Sequence, residues 1–189
     1  DSYQVQNLDI AFPNLSAQAN LTASDGGGRA QFDVRLADIG LFTPEFSGPV
    51  TADGTATLSA GGQWQVNARV GGPGGIGATV GATLSPGGAL SASANGQAPL
   101  GLANPFIEPR RIQGLAAFDL SLNGPPALSS LSGTVRLNDA RLAVPTLSNF
   151  VEGISGTVSL SGGRATLDLG ARLGTGGTLQ VSGPIALSG

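Results

Sequence analysis

Strict alternation of apolar and polar residues is the feature that most constrains this chain. In residues 15–23 every odd position is apolar, and in residues 30–36 every even position is. The same period of two recurs in four further stretches, residues 64–70, 76–84, 165–173 and 179–187. This period predicts β-strands with one polar face and one apolar face. The function of the chain then depends on what the apolar face covers, either a packed core or a guest molecule.

The pattern predicts about a dozen strands and almost no helix. Gly- and Pro-rich pairs and triplets separate the stretches, as turns that need a positive φ require. We expect strands at 3–12, 14–24, 29–37, 49–60, 63–71, 75–85, 89–95, 112–122, 132–138, 141–145, 154–161, 164–173 and 177–188. Two irregular inserts interrupt the alternation near 38–48 and 98–111, and residues 146–153 suit one helical turn that Gly153 closes. We expect one β-rich, repeat-like domain over residues 1–189.

The composition favours a shallow sheet over a thick globule. Apolar residues make up 40% of the 189 residues, but much of that share is Ala, and aromatic residues make up only 5%. Three segments nearly repeat one another, namely Gly-Thr-Val-Arg-Leu at 133–137, Gly-Thr-Val-Ser-Leu at 156–160 and Gly-Thr-Leu-Gln-Val at 177–181. Repetition of this kind is typical of structures that grow along one axis.

The residue types that are absent exclude most kinds of chemistry. The chain has no Cys, His, Met or Lys, which removes disulfides, thiolate and imidazole metal ligands, the commonest general base and the P-loop lysine. Ser has no evident activator, and Asp33, Asp119 and Asp168 alternate with apolar neighbours on what we expect to be solvent faces. We therefore predict no enzyme activity, no metal and no cofactor. A net charge of −3 without a basic run predicts no nucleic-acid partner.

Two local features have a structural and a functional interpretation. Arg110 and Arg111 are adjacent charges that suit a solvated loop better than a contact with lipid phosphate or an acidic partner. Trp64 opens the apolar face of its strand and suits a core position better than a ligand contact. No segment reaches the ~18 continuous apolar residues of a membrane-spanning helix. Because the sequence starts and stops within the strand pattern and no signal peptide is evident, we expect it to be a fragment of a longer protein.

The order of elements in the second half resembles the C-terminal domain of the TamB family. The residues that carry the resemblance are Leu-Ser-Gly-Thr-Val-Arg-Leu-Asn-Asp-Ala-Arg-Leu-Ala-Val-Pro at 131–145, Ile-Ser-Gly-Thr-Val-Ser-Leu at 154–160 and Gly-Thr-Gly-Gly-Thr-Leu-Gln-Val-Ser-Gly-Pro-Ile-Ala-Leu at 174–187. The similarity covers roughly 110–189 well and 1–109 more loosely. It lies in the succession of elements and includes no catalytic signature.

The resemblance implies an all-β fold, an elongated and mainly antiparallel sheet curved into a U-shaped trough with a hydrophobic concave face. It implies a periplasmic protein of a Gram-negative bacterium, anchored to the inner membrane, that works with a TamA-like outer-membrane barrel of the Omp85 type. The implied cargo is phospholipid or outer-membrane protein clients such as autotransporters. The feature that maps onto this chain is the apolar strand face, and the predicted groove residues are Leu15, Ala17, Leu21, Phe32, Val34, Leu36, Trp64, Val66, Val80, Leu120, Leu122, Val135, Leu137, Val158, Leu160, Leu167, Leu169, Leu179, Val181 and Ile185.

A structural or adhesive β-solenoid, such as an autotransporter passenger segment, is the alternative function. In that case the apolar faces would stack into a closed, dry core, and polar ridges would bind a surface. The varied turn spacing and the two inserts argue mildly against it, whereas parallel strands would favour it. The sequence does not distinguish lipid from polypeptide as the cargo of a trough.

Overall fold

Twelve β-strands account for most of the chain in the computed structural model, which describes residues 2–41, 47–145 and 150–187. Within these described ranges, one α-helical segment, α1, spans Asn104–Ile107, and it follows a 3-10 turn at Leu100–Ala103. The strands are β1 Ser2–Phe12, β2 Leu15–Ser24, β3 Gly27–Leu36, β4 Val50–Ser59, β5 Trp64–Gly71, β6 Gly77–Leu84, β7 Leu90–Pro99, β8 Arg111–Asn123, β9 Leu131–Ala143, β10 Phe150–Ser161, β11 Arg164–Leu173 and β12 Thr178–Ala186.

The strands follow one another in the sheet in chain order, from β1 to β12. Pairing is antiparallel throughout β1–β6 and again throughout β9–β12. Short hairpin turns are sufficient for this topology, because antiparallel neighbours need no crossover connection. The expected all-β fold with an open, mainly antiparallel sheet is confirmed.

The contacts divide the chain into two compact units. The first unit comprises Asp1–Ala94 and Leu122–Pro125, and the second comprises Asn95–Ser121 and Pro126–Gly189. In the first unit, none of the residues whose burial is described is buried. Its strands are therefore held together mainly by their hydrogen-bonded ladders and by contacts between side chains of neighbouring strands.

The second unit contains the only fully packed cluster among the described residues. Ala140, Val151 and Ile154 form its centre, and Leu100, Leu137, Leu142 and Ala171 pack against them. Leu100 comes from the insert after β7, which a buried Asn104 fastens to the sheet: its Oδ1 accepts a hydrogen bond of 2.8 Å from the Ile112 N–H. The insert predicted near 98–111 is thus an ordered packing element.

The described part of the other insert is also fixed locally. Asp38 Oδ1 accepts hydrogen bonds of 2.8 Å from the N–H groups of Gly40 and Gly48. These two hydrogen bonds lower the pKa of the Asp38 carboxyl below its ordinary value, and the bond from Gly48 has the larger effect. A 3-10 turn follows at Ile39–Leu41, and residues 42–46 of the predicted insert lie outside the described residues.

Two sequence predictions about the second half are wrong. The predicted strands 132–138 and 141–145 form one strand, β9, which accommodates a positive φ of 54° at Asp139. The predicted helical turn at 146–153 is not helical where it is described, because Phe150–Ser161 is β10, and residues 146–149 lie outside the described residues. Gly153 does take a positive φ, but within an irregular stretch of strand pairing instead of at a helix end.

Candidate apolar binding surface

Apolar side chains from six neighbouring strands line up in rows on one face of the first unit. Successive residues of a strand point to opposite faces, so the antiparallel register places residues of like character side by side. The three central rows are Ile10, Ala17, Val34, Ala52, Val70, Ala78; Leu8, Ala19, Phe32, Gly54, Ala68, Val80; and Val5, Leu21, Ala30, Ala56, Val66, Ala82. We call these rows, with the two end rows described below, the first apolar face.

Larger side chains stand at the two ends of the first apolar face. One end row contains Phe12, Leu15, Leu36 and Val50, and the other contains Tyr3, Ala23, Gly28, Leu58, Trp64 and Leu84. Most of the alanines lie in the central rows, so the interior of the face is lined mainly by small groups. Trp64 is 40% exposed and so is not the core residue that its position in the sequence suggested.

Water reaches the first apolar face because no described element packs over it. The β1 side chains are the most open, with Tyr3 68% and Phe12 63% exposed, and Leu84 at the far side of the face is 43% exposed. Most residues of this face on β2–β5 are half-buried, since each is flanked by neighbours in its row, whereas Leu15, Leu21 and Trp64 are 37–40% exposed. Exposed contiguous apolar area on this scale is typical of a surface that binds a ligand, a membrane or another protein.

The opposite face of the same strands is polar. Gln4, Thr22, Arg29, Thr57, Gln65 and Thr83 share one row, and Asn20, Gln31, Thr55 and Asn67 share the next. Asp33 lies on this polar face directly opposite Asp53, and both are exposed. The first unit is therefore a single amphipathic layer with one uncovered apolar side.

One contact shapes the middle of the first apolar face. The Phe32 ring lies against Gly54, where an added β-carbon would be 2.8 Å from Phe32 Cζ. The same β-carbon would be 2.3 Å from the Asn67 carbonyl oxygen. Glycine in a strand commonly marks a site where another group approaches the backbone closely. Gly54 thus allows the largest side chain of the central rows to lie flat instead of standing up from the sheet.

The second unit carries a shorter apolar face of the same kind. Its rows are Gly133, Leu160, Ala165, Ile185; Val135, Val158, Leu167, Gly183; and Leu137, Gly156, Leu169, Val181. Leu179 lies opposite Ala171 beyond these rows, near the packed cluster. Leu179, Val181 and Ile185 are 40–47% exposed, whereas Ala165 is buried.

Eighteen of the twenty predicted groove residues lie on the two apolar faces described above. In the first unit, the predicted residues from Leu15 to Val80 belong to the rows of the first apolar face. Those from Val135 to Ile185 belong to the apolar face of the second unit. Leu120 and Leu122 are half-buried and lie on the side of β8 that carries Ala116 and Phe118. The structure therefore brings eighteen of the predicted residues together on one face of each unit, and it does not place Leu120 and Leu122 in these rows.

The titratable residues singled out from the sequence lie apart from these faces. Asp119 and Asp168 are exposed, as is Asp33. Arg110 is exposed in the turn before β8, and Arg111 is the first residue of that strand. Within the described residues, no three His, Cys, Asp or Glu side chains are grouped so that they would hold a metal ion.

Comparison of the chain with known protein families, curated proteins and solved structures gave no match in any of the three. In the part of the chain that the structure describes, no helix is long and apolar enough to cross a bilayer.

Sequence reasoning missed one polar feature, an irregular stretch where β9, β10 and β11 change register. The register shifts lie between Glu152 and Ser155 and around Ile154. The Asn138-Asp139 pair is the sequence signal at this position, because these residues favour turns. It gave no indication that Arg172, from a strand further along the chain, would border the same cavity as that pair.

Proposed function

We propose that this chain is a non-enzymatic conduit or chaperone surface that shelters apolar cargo, either phospholipid acyl chains or unfolded outer-membrane β-strands. The observation that carries the proposal is the first apolar face: rows of aliphatic side chains that cross six strands and have no covering element among the described residues. Such a face is formed by the strands themselves and is therefore present before any guest binds.

The chemistry of the face suits a sliding guest better than a fixed ligand. Burial of each CH₂ of an acyl chain contributes about 0.8 kcal/mol. Ala, Val and Leu offer similar gains at successive positions, so movement along the face meets low barriers. A site that holds one ligand in one pose needs convergent polar groups, and the rows supply none.

The partners and location follow from the resemblance to the TamB family. On that basis the parent protein is anchored to the inner membrane, crosses the periplasm of a Gram-negative bacterium and works with a TamA-like Omp85 barrel. Its role would be in outer-membrane biogenesis, through protein secretion and autotransporter assembly or through phospholipid transport. The antiparallel pairing and uncovered apolar faces support this function over an adhesive β-solenoid, whose apolar faces would close on one another.

Site-specific photo-crosslinking in cells tests the proposal. A photoreactive residue at Val34 or Val66 would lie on the first apolar face, and one at Asp33 or Asn67 would lie on the polar face one residue away in the same strand. We expect capture of phospholipid or outer-membrane protein from the apolar positions and at least several-fold less from the polar ones. The captured species identifies the cargo.

Equal capture from the two faces, or none from Val34 and Val66, would contradict the proposal. Binding of a lipophilic dye to the purified chain provides a second measurement. Val34→Asn combined with Ala68→Asn should abolish dye binding, whereas Asp33→Asn combined with Arg69→Asn should leave it unchanged.

A further inference from the structure

A polar notch lies in the second unit where strand pairing is irregular. Its volume is about 510 Å³, and the residues that define it are Asp139, Gly153, Ser155, Gly170, Arg172 and Gln180. Register shifts at β10 break the regular alternation here, and Leu179 of β12 also borders the notch. Irregular pairing of this kind often re-aims side chains toward a functional site.

The floor of the notch consists of backbone that lacks side chains. A β-carbon added to Gly170 would meet no atom within 4 Å, so the space above it is open. Gly153 has a φ of +61°. Gly170 therefore allows a ligand to approach the sheet closely, whereas the Arg172 guanidinium occupies the space beside Gly153.

Arg172 supplies a cation on one side of the notch. Its side chain extends from β11 over β10, and a β-carbon on Gly153 would be 2.9 Å from Arg172 Nη2. Glu152 stands opposite Arg172 in the register but forms its ion pair with Arg141 at 2.7 Å instead. Phe150 strengthens that separate pair, because the Arg141 guanidinium lies 4.2 Å from its ring centre. The Arg172 guanidinium therefore lies at the notch and forms no ion pair with the Glu152 carboxylate.

Asp139 supplies an anion on the other side. Its φ of 54° is uncommon for a residue other than glycine. Its N–H donates a 3.0 Å hydrogen bond to Ser155 Oγ, which fixes the backbone at this point. A strained position that is held by its neighbours is a recurrent mark of functional sites.

We infer that the notch binds a zwitterion that carries a phosphate and a primary ammonium group, as in ethanolamine phosphate. Arg172 would hold the phosphate through its guanidinium fork, and Asp139 would accept hydrogen bonds from the ammonium. The guanidinium lies over Gly153 of β10 and Asp139 is on the neighbouring β9, and both residues border the notch, so a ligand with two opposite charges can contact both. Ethanolamine phosphate separates its charges by a two-carbon spacer, whereas an α-amino acid carries both on one carbon.

This inference deepens the proposed function. It rests on that function in one respect only, namely that phospholipid is the source of the ethanolamine phosphate group. Titration of the whole chain with soluble glycerophosphoethanolamine, followed by calorimetry, tests the notch without any apolar cargo. Glycerol 3-phosphate, which carries a phosphate but no ammonium, is the comparison ligand. We expect glycerophosphoethanolamine to bind at least about tenfold more tightly than glycerol 3-phosphate.

Three substitutions separate the roles of the notch residues. Arg172→Gln should weaken binding of both ligands about tenfold or more, and Arg164→Gln, on the same strand outside the notch, should leave both unchanged. Asparagine also tolerates a positive φ, so Asp139→Asn changes the charge at this position and leaves the backbone conformation allowed. This variant should lose the preference for glycerophosphoethanolamine but still bind glycerol 3-phosphate. Gly170→Thr fills the floor and should abolish binding, with folding checked by circular dichroism.

Vesicles that contain phosphatidylethanolamine and phosphatidylglycerol, compared with phosphatidylglycerol alone, identify the source of the ligand. Retention of the chain by the first vesicles, lost in Arg172→Gln, supports a lipid head group. Binding of the soluble ligand without retention supports a free zwitterion. No binding of soluble ligand, or equal losses in Arg172→Gln and Arg164→Gln, would overturn the inference even if dye still binds the first apolar face.

Discussion

At the scale of single residues, Gly54 is where the first apolar face tolerates substitution least. We predict that Gly54→Ala lowers the free energy of unfolding by about 1–3 kcal/mol, because the new methyl group would overlap backbone that has no room to move. The β-carbon would be 2.3 Å from the Asn67 oxygen and 2.9 Å from the Ala68 Cα. Chemical denaturation measures the change.

Gly77 provides the matched control for this prediction. It lies in β6 of the same unit, and a β-carbon there would meet nothing within 4 Å. Gly77→Ala should change stability by less than about 1 kcal/mol, with stabilisation the expected sign because alanine restricts the unfolded chain. Similar losses for both alanines would mean that backbone entropy, and not the close approach at Gly54, governs these positions.

The sequence reveals part of this arrangement. Alternation assigns Phe32 and Val34 to one face correctly, because the side-chain period of a strand is fixed by its geometry. It does not reveal that Phe32 lies against Gly54, since that contact depends on the register between β3 and β4. The sequence also does not predict that Trp64 is exposed. Periodicity assigns residues to the two faces of a strand but does not show what covers either face.

At the scale of elements, the packed cluster should make the second unit sensitive to cavity formation. Ile154 is 9% exposed at the centre of the cluster, so Ile154→Ala should cost about 2–5 kcal/mol. Ile185 is 47% exposed on the apolar face of the same unit, and Ile185→Ala should cost less than about 1 kcal/mol. Denaturant unfolding of the two variants gives the comparison, and equal losses would show that the cluster is not the main packed centre.

Strand positions followed from the sequence where the period of two was unbroken, as in β2 and β11. The prediction failed at Asp139, because a turn-forming residue can also occupy an irregular position inside a strand when a neighbour satisfies its N–H. It failed again at Gly153, where a glycine with positive φ serves a register shift instead of a helix end. Local residue preferences do not distinguish these outcomes, which depend on β10 and β11.

At the scale of the whole molecule, the apolar residues of the two units have different surroundings. In the first unit the apolar side chains contact their row neighbours and water, whereas in the second the insert at Leu100 packs against a small core. An antiparallel sheet can be solvated on its polar side while its other side is apolar. The composition is consistent with this, since abundant Ala and few aromatics limit how strongly the uncovered side drives aggregation.

The last prediction concerns the length of an acyl chain bound to the first apolar face. Six strands span about 24 Å across the rows of the first apolar face, from five spacings of ~4.8 Å. For a series of single-chain fatty acids, we expect affinity to increase by up to about 0.8 kcal/mol per CH₂ and to level off once the chain exceeds the breadth of the face. Displacement of a lipophilic dye measures the series, and Val66→Asn should shorten the length at which the gain stops. Affinity that is independent of length would mean that the rows do not bind the chain along its length, and that the apolar face serves some other contact.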